Sequence, residues 1–526
     1  LSNGEAPLTS VSKELRFTTH PVIGTAKNTR IWVVGDSGTG GDGQKAVFKA
    51  QEKYTREAGR DLDLYLHLGD MAYGRGTDGE FQAKFFEIYE SRLRKTVCWP
   101  TMGNHEGLTS KGFSGIGPYY DAYVVPTKGE AGGVPSGKEA YYSFDYGEIH
   151  FICLDSFDLD RSTGAPMASW LKEDLKQTKA KWLIAFWHHP PYTKGSHDSD
   201  KETQLVDMRE NFMPILEAAG VDLVLTGHSH IYERSMLIDG AYHTPTHNHG
   251  VVLDDGDGNP HGDGAYHKSE GLAPHNGTVS IVAGHGGKPT FLKGISPIMR
   301  TVILEYGSVI LDVEGNILNG FMIDRHGHKT DPFQIVKKGV VVPKVVENPW
   351  TPTLKDIVAN VTEIIPAKSE WHYRTGNQFT GTDWAKPDAN LENWKTGSVG
   401  IGYGHKEAST ILRGMRKNYA QVVLRRDFEL PEGTDARRLG LAINYDDGFA
   451  LYLNGTRLFD AHITRNGNAV QVRNHEATGE QFFPLAKYAQ RFKPGKNTLA
   501  IHGYNVQLNS GDFLMNPRLV EFRAGP

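Results

Sequence analysis

The sequence predicts an α/β domain followed by an all-β domain. Two observations lead to this fold class: short apolar runs alternate with helical spacing up to residue 340, and helical spacing disappears after Ile365. Hydrophobic residues fill 38% of the 526 positions, which is enough for more than one core and excludes a disordered chain. We expect domains over residues 1–340 and 366–526, joined by a linker over 341–365.

The first domain is predicted from strand-sized apolar runs that alternate with helices. The predicted strands are Ile31–Gly35, Leu62–Leu68, Thr96–Thr101, Ile149–Leu154, Lys181–Trp187 and Val221–Thr226. A helix with Asp42 as its N-cap is expected over Asp42–Ala58, and another helix precedes the last strand. Such alternation is typical of a sheet covered by helices, in which ligands bind in loops beyond the carboxyl ends of the strands.

Two later regions differ from this pattern. The segment Tyr242–Asn276 is rich in Gly, Asp and His and has little periodicity, so it is either a solvated surface loop or a functional lid. Beyond the linker, turn-forming residues separate short alternating runs, which predicts an all-β sandwich. Its clearest predicted strands are Gln421–Leu430, Leu439–Tyr445, Ala450–Leu453 and Thr498–His502.

The composition also argues against two classes of partner. A net charge of −5 gives no reason to expect a nucleic acid bound by a basic surface. No apolar run approaches the roughly 18 residues that a membrane-spanning helix needs. The chain opens with Leu-Ser-Asn-Gly, which fits either a trimmed chain or a mature exported form.

Five predicted strand ends carry acidic, amide or imidazole side chains. They are Gly35-Asp36-Ser37-Gly38, Gly69-Asp70-Met71-Ala72-Tyr73, Gly103-Asn104-His105-Glu106, His188-His189-Pro190 and Gly227-His228-Ser229-His230. One such fragment alone is more often a helix cap, but five at one edge of a sheet indicate a binding site. The candidate metal ligands are Asp36, Asp70, Tyr73, Asn104, His188, His228 and His230. This set is too large for one tetrahedral zinc and suits two ions that share a carboxylate and clamp a phosphoryl group.

A dinucleotide site is the alternative for the first loop. Gly38-Thr-Gly40-Gly-Asp-Gly43 matches the G-x-G-x-x-G pattern after a strand and before a helix. Asp70 ends the next strand, where an acid that binds ribose would lie. That hypothesis leaves Asn104, His188 and the histidines of the last loop without a role, whereas the metal hypothesis uses all of them.

The combined motifs closely resemble those of the purple acid phosphatases, a group of the calcineurin-like metallophosphoesterases. The resemblance covers about residues 28–335 and implies a four-layer α/β/β/α sandwich. Most metallophosphoesterases carry Asp-x-His in the first motif. Here Gly38 replaces that histidine, and Tyr73 supplies a donor from the second motif.

The resemblance implies an Fe(III) site and a second site for Zn, Mn or Fe(II), bridged by Asp70. The other Fe(III) ligands would be Asp36, Tyr73 and His230, and the other ligands of the divalent ion would be Asn104, His188 and His228. The implied activity is hydrolysis of phosphate monoesters, with small-molecule phosphate esters as substrates and a metal-bound hydroxide as nucleophile. A phosphodiesterase with the same ions is the alternative.

Further histidines receive roles from the same resemblance. His105 would contact the phosphate together with Asn104, and His197 would bind substrate and protonate the leaving group. Some relatives have a second histidine after the latter, whereas this chain has Asp198, so His189 or a histidine of the Tyr242–Asn276 segment is an alternative donor. His285 is a candidate substrate contact.

The C-terminal domain resembles a galactose-binding-like jelly roll through turns such as Asn444-Tyr-Asp446-Asp447-Gly448. Glycan contact would need exposed aromatic residues, and Trp371, Trp384 and Trp394 are the candidates. We expect them in the core instead. Such modules often accompany exported bacterial hydrolases, so the protein is expected to be secreted or periplasmic. A carbohydrate-binding protein without catalysis is a further alternative.

Overall fold

The computed structural model describes residues 17–244, 246–288, 292–351, 361–379, 381–466, 469–477 and 480–522. The chain separates into two compact units, with the main boundary between residues 352 and 353 and with residues 293–295 assigned to the second unit. That boundary falls within the predicted linker 341–365, of which residues 352–360 lie outside the described residues.

The first unit contains sixteen strands and seven α-helical segments in its described residues. The strands are β1 (Thr29–Val34), β2 (Leu64–His67), β3 (Cys98–Pro100), β4 (Tyr142–Tyr146), β5 (Ile149–Cys153), β6 (Trp182–Trp187), β7 (Leu223–Thr226), β8 (Tyr232–Ser235), β9 (Leu237–Ile238), β10 (Val252–Asp254), β11 (Tyr266–Lys268), β12 (Val279–Ala283), β13 (Met299–Ile303), β14 (Gly307–Glu314), β15 (Ile317–Asp324) and β16 (Lys329–Lys337). The helices are α1 (Asp42–Glu57), α2 (Asp78–Phe81), α3 (Glu87–Leu93), α4 (Pro118–Ala122), α5 (Pro166–Gln177), α6 (Thr203–Asp207) and α7 (Met213–Ala218).

Two seven-stranded sheets form the centre of this unit. One has the order β11-β16-β15-β14-β1-β2-β3, and the other has the order β13-β8-β12-β7-β6-β5-β4. Strands β1, β2 and β3 run parallel, as do β5, β6, β7 and β12. Their carboxyl ends therefore deliver several loops to the same edges of the sheets.

The core lies between the two sheets because side chains alternate along each strand. Ile31 and Val33 of β1 join Ile184 of β6 in one buried apolar cluster. On the outer face, Trp32 stacks on Phe48 of α1. The other sheet holds α5 on its outer face. The predicted four-layer arrangement is confirmed.

Two sequence predictions of local structure are wrong. The helix α1 begins with Asp42 as its first residue, and Gly41 is the N-cap without a side-chain hydrogen bond. The segment Tyr242–Asn276 is not free of regular structure, because it includes β10 and β11. Tyr266 of β11 is fully buried and pairs in parallel with Ile335 of β16, so this part of the segment is an edge of the sheet.

The second unit has two facing sheets. Its strands are β17 (Val361–Ile365), β18 (Glu370–Gly376), β19 (Lys395–Ser398), β20 (Ile401–Tyr403), β21 (Thr410–Ile411), β22 (Gln421–Leu430), β23 (Leu439–Tyr445), β24 (Gly448–Leu453), β25 (Thr456–Ala461), β26 (Ile463–Asn466), β27 (Ala469–Val472), β28 (Gln481–Pro484), β29 (Gly495–Tyr504) and β30 (Phe513–Phe522). One sheet has the order β21-β20-β30-β23-β28, with β17 also paired to β30, and the other has the order β19-β18-β22-β29-β24-β25. Both contribute to one buried apolar cluster, as the predicted sandwich requires.

The three tryptophans of this unit lie in different environments. Trp371 is buried in the core, as expected. Trp384 is half-buried and packs edge-on against Tyr452, and Trp394 is half-buried near Arg374. Among the described residues of the whole chain, no helix has the length and apolar character needed to cross a membrane.

A buried histidine links α5 to the outer face of the second sheet. His150 of β5 contacts Asp145 of β4 through Nδ1 (2.6 Å) and Asp174 of α5 through Nε2 (2.8 Å). Burial disfavours the charged ring, but the hydrogen bonds to the two carboxylates outweigh it and raise the pKa of His150 to about 9. The folded state therefore binds a proton at this site more tightly than the unfolded chain does.

We expect His150→Gln to lower the free energy of unfolding at pH 6 by up to about 3 kcal/mol. The raised pKa stabilises the fold fully below about pH 6.5, and this contribution is lost as the pH rises through about 9. The difference between wild type and variant should therefore shrink in urea unfolding at alkaline pH. His328→Gln is the control, because His328 is exposed although it pairs with Asp324. A difference that does not change with pH would contradict the assignment.

Candidate metal site

The predicted ligands come from loops that follow β1, β2, β3, β6 and β7. Three of these residues have a left-handed backbone: Asp36 (φ 55°), Asp70 (φ 55°) and His228 (φ 62°). Residues other than glycine rarely adopt this conformation, and it occurs mainly where the fold requires a specific side-chain direction. Here it turns each side chain away from its strand and into a common site.

One group of donors surrounds Asp36. The Tyr73 hydroxyl donates a hydrogen bond to Asp36 Oδ1 (3.0 Å) and lies 3.3 Å from His230 Nε2. The same His230 nitrogen is 3.6 Å from Asp36 Oδ1. The other carboxylate oxygen, Oδ2, accepts the backbone N–H of His228 (2.7 Å), which fixes the orientation of the carboxylate. A carboxylate, a phenol and an imidazole thus converge on one point.

A second group surrounds the amide oxygen of Asn104. Asn104 Oδ1 lies 3.0 Å from His188 Nε2 and 2.9 Å from His228 Nδ1. His188 donates its other ring N–H, at Nδ1, to the carbonyl oxygen of Leu68 (2.7 Å), which leaves Nε2 free to face the site. The same Nε2 is 3.5 Å from Asp70 Oδ1. Asp70 also has a carboxylate oxygen within 4.8 Å of one from Asp36, so it is close to both groups.

The electrostatics of the site favour a bound cation. Burial and the neighbouring carboxylate of Asp70 raise the pKa of Asp36 well above its ordinary value. Burial also opposes ionisation of Asp70, but nearby imidazoles, first that of His188, outweigh it and lower its pKa. Burial lowers the pKa of His228 and of His230 to about 3, so both rings are neutral. Neutral imidazoles beside buried carboxylates are the forms in which these residues bind metals.

The phenol of Tyr73 fits the same interpretation. Burial and the nearby carboxylate of Asp36 raise the pKa of Tyr73 well above its ordinary value, so the hydroxyl keeps its proton beside these acids. Only a cation at the site would favour the phenolate. One oxygen each of Asp36 and Asp70 and one nitrogen of His188 lie within 4.8 Å of one another, which is compact enough for shared coordination. The donor set therefore fits metal ions.

Two glycines are required by close backbone approaches. A Cβ on Gly103 would lie 2.2 Å from Asp70 Oδ1, so the loop that carries Asn104 could not otherwise pack against this carboxylate. A Cβ on Gly38 would lie 2.0 Å from the carbonyl carbon of Met71. The loop that carries Tyr73 thus occupies the space that a side chain at residue 38 would need.

The two predicted catalytic histidines border the site. The ring of His105 lies 4.5 Å from that of Tyr73, and its Nδ1 is 2.7 Å from the carbonyl oxygen of Gly74. The ring of His197 lies 3.7 Å from that of His228. Side-chain exposures of 32% and 29% leave both histidines accessible to a ligand. Ser229 Oγ accepts the backbone N–H of His197 (3.4 Å), which ties this loop to the last ligand loop.

The remaining histidines and Asp198 lie elsewhere. The structure does not bring His285 to the open site: its side chain is fully buried, its ring packs edge-on near Tyr232, and neither ring nitrogen has a hydrogen-bond partner in the part of the chain that the structure describes. His189 is also buried, with Nδ1 2.9 Å from Ser156 Oγ. Asp198 pairs with Lys194 and Lys201 instead of facing the ligands.

Sequence reasoning missed two acids that support the site. Glu202 lies 2.7 Å from His197 Nδ1, so its carboxylate orients this ring. Glu106 is fully buried and accepts the backbone N–H groups of Asp70 (2.8 Å) and Gly103 (3.0 Å). The adjacency of Glu106 to the Asn104-His105 pair was a usable signal. The spacing of five residues between His197 and Glu202 gave no such signal, because no helix or strand spans these residues.

Comparisons with known proteins find similar sequences and structures. The calcineurin-like phosphoesterase family matches residues 29–232. Purple acid phosphatase 23 of Arabidopsis thaliana is 30% identical over 266 residues, which cover 44% of this chain and 53% of that protein. The protein named probable inactive purple acid phosphatase 1 of the same plant is 26% identical over 300 residues, covering 52% of this chain and 44% of that protein.

Among solved structures, the purple acid phosphatase PPD1 from yellow lupin (Lupinus luteus) seeds is 20% identical, with a TM-score of 0.49, and the match covers 61% of this chain and 56% of that one. The chain spans about half the length of the curated relatives it matches. Residues 29–232 therefore match the calcineurin-like phosphoesterase family, and the chain is similar to the purple acid phosphatases.

Proposed function

We propose that this protein hydrolyses phosphate monoesters at a dinuclear metal centre of Fe(III) and a divalent ion, Zn, Fe or Mn. The observation that carries the proposal is the convergence of Asp36, Tyr73 and His230 on one side of Asp70, and of Asn104, His188 and His228 on its other side. The first group, with a phenol, suits Fe(III), and the second suits a divalent ion. The carboxylate of Asp70 would be shared.

When bound, two such cations polarise a phosphoryl oxygen and make water a stronger acid. The side chains around them then bind and orient the ester. His105 and the amide of Asn104 lie beside the site, where they can donate hydrogen bonds to phosphate oxygens. The buried carboxylates of Asp36 and Asp70 repel an anionic ester unless cations lie between them and the phosphate.

His197 is the proposed proton donor to the leaving group. Its Nδ1 faces the carboxylate of Glu202, so its Nε2 is the ring atom left to approach the ester. As the P–O bond breaks, the leaving oxygen takes the proton from Nε2–H, and Glu202 stabilises the correct ring orientation.

Export of the protein and glycan contact by the C-terminal unit stay predictions.

The substrate class is tested with an aryl monoester and the matching diester. We expect kcat/KM for 4-nitrophenyl phosphate to exceed that for bis(4-nitrophenyl) phosphate at least about tenfold, because a monoester presents more charge to two cations. Asp70→Asn should lower both activities more than about 100-fold if one centre serves both. A preference for the diester would support the phosphodiesterase alternative, and no turnover of either ester would contradict the proposal.

The iron assignment is tested by colour. Wild-type protein loaded with iron should absorb visible light through charge transfer from a Tyr73 phenolate to Fe(III), and Tyr73→Phe should lose this band. Tyr120→Phe is the matched control, because Tyr120 is a buried tyrosine whose hydroxyl contacts Met102. Absorption spectra and elemental analysis are the measurements. An active wild type that is colourless and free of iron would disprove the Fe(III) part alone.

The role of His197 is tested by changing the leaving group. His197→Asn should lower kcat for an alkyl phosphate about 100-fold and affect 4-nitrophenyl phosphate much less, because nitrophenolate leaves without a proton. Glu202→Gln should show the same preference with a smaller loss, about tenfold. His261→Ala serves as the control, since His261 is exposed. An equal loss for both esters would mean that His197 does not donate the proton.

A further inference from the structure

A second cluster of metal-type donors lies in the first unit, on residues that the proposed function does not use. It consists of Glu217 at the end of α7, Asp239 directly after β9, and His275 shortly before β12. One carboxylate oxygen of each acid and one ring nitrogen of His275 lie within 4.8 Å of one another. His275 Nδ1 is 3.1 Å from Asp239 Oδ1 and 3.2 Å from its Oδ2.

The backbone holds these donors in place independently of their side chains. The N–H of His275 donates to the carbonyl oxygen of Glu217 (2.9 Å), which joins the end of the segment to α7. The N–H of Asp239 donates to the carbonyl oxygen of Val251 (2.9 Å). His275 has a left-handed backbone (φ 55°), a conformation that a histidine rarely adopts. The cluster is therefore built into the fold.

The carboxylate of Glu217 is the unusual member of the cluster. Its residue is only 1% exposed. Oε2 accepts hydrogen bonds from the backbone N–H of Gly240 (2.8 Å) and from the Tyr242 hydroxyl, whereas the buried Oε1 has no hydrogen-bond partner among the described residues. A buried carboxylate oxygen without a partner is costly unless a proton or a cation compensates it. Burial, together with the nearby Asp239, raises the pKa of Glu217 to about 8.

We propose that Glu217, Asp239 and His275 bind a divalent cation of the zinc type, separate from the dinuclear centre. Two carboxylates and one imidazole are a donor set that zinc and similar first-row ions accept, and water completes the coordination. Calcium prefers oxygen donors alone, so the imidazole argues against it. The side chain of His275 is 54% exposed, which gives an ion a path from solvent.

The bound cation would close the segment between residues 239 and 275 at its base. Asp239 and His275 are 36 positions apart, and Glu217 of α7 lies beside both. Within this segment, Thr246 donates through its backbone N–H to Asp200 (3.1 Å), which belongs to the same loop as His197. A cross-link at the base lowers the conformational entropy that the segment has when it is open. The cation therefore stabilises the closed, ordered segment.

The test is metal content. Full-length apoprotein is loaded with Zn²⁺, freed of excess ion by gel filtration, and analysed by mass spectrometry for zinc per chain. Glu217→Gln and His275→Ala should each bind one equivalent less than wild type. His261→Ala is the control, because this exposed histidine of the same segment lies outside the cluster, and it should bind as much as wild type.

Hydrogen exchange gives a second measurement that does not depend on total zinc. Zinc should slow hydrogen exchange in residues 239–275 of wild type and of His261→Ala, and should leave the exchange of this segment unchanged in His275→Ala. Equal zinc content in wild type and His275→Ala, with no change in exchange, would overturn the proposal and leave Glu217 as a protonated acid. If the dinuclear centre were wrong, zinc content would fall equally in all variants, and the difference of one equivalent would persist.

Discussion

The site depends on the burial of two carboxylates, Asp36 and Asp70, close enough to repel one another. Because both side chains are buried away from water, this repulsion is weakly screened, so only positive charge placed between them makes both anionic at once. The neutral imidazoles of His228 and His230 add donors without adding charge. The left-handed backbones and the glycines beside the candidate ligands help to bring these side chains together, because they let the loops approach within coordination distance.

The sequence was sufficient for the parts of the structure that follow from local pattern. Apolar runs predicted the central strands, because a strand buried on both faces needs apolar residues throughout. The candidate ligands could be identified from the sequence because each of their loops directly follows such a strand, and parallel strands place these loops at a common edge. Asn104 and Tyr73 could be identified as candidate ligands only from their positions after the strand ends, because neither residue type alone indicates a metal site.

Other features depend on contacts between distant parts of the chain. The edge strand at Tyr266 has weak periodicity, and its position is set by pairing with β16, 69 positions later at Ile335. His285 follows β12 as the ligands follow their strands, yet its ring is buried beside Tyr232. A position after a strand does not determine on which side the side chain lies. The orientation of His197 by Glu202 likewise arises from the course of an irregular loop.

The close approach at Gly38 constrains how such a centre can diverge. The carbonyl of Met71 and the loop leading to Tyr73 fill the volume where a larger residue at position 38 would extend. A histidine introduced there would displace the phenol's own loop before it could reach a cation. Because the atoms in the way belong to the backbone of Met71 and Ala72, any side chain at residue 38, even that of alanine, would require this loop to change its course.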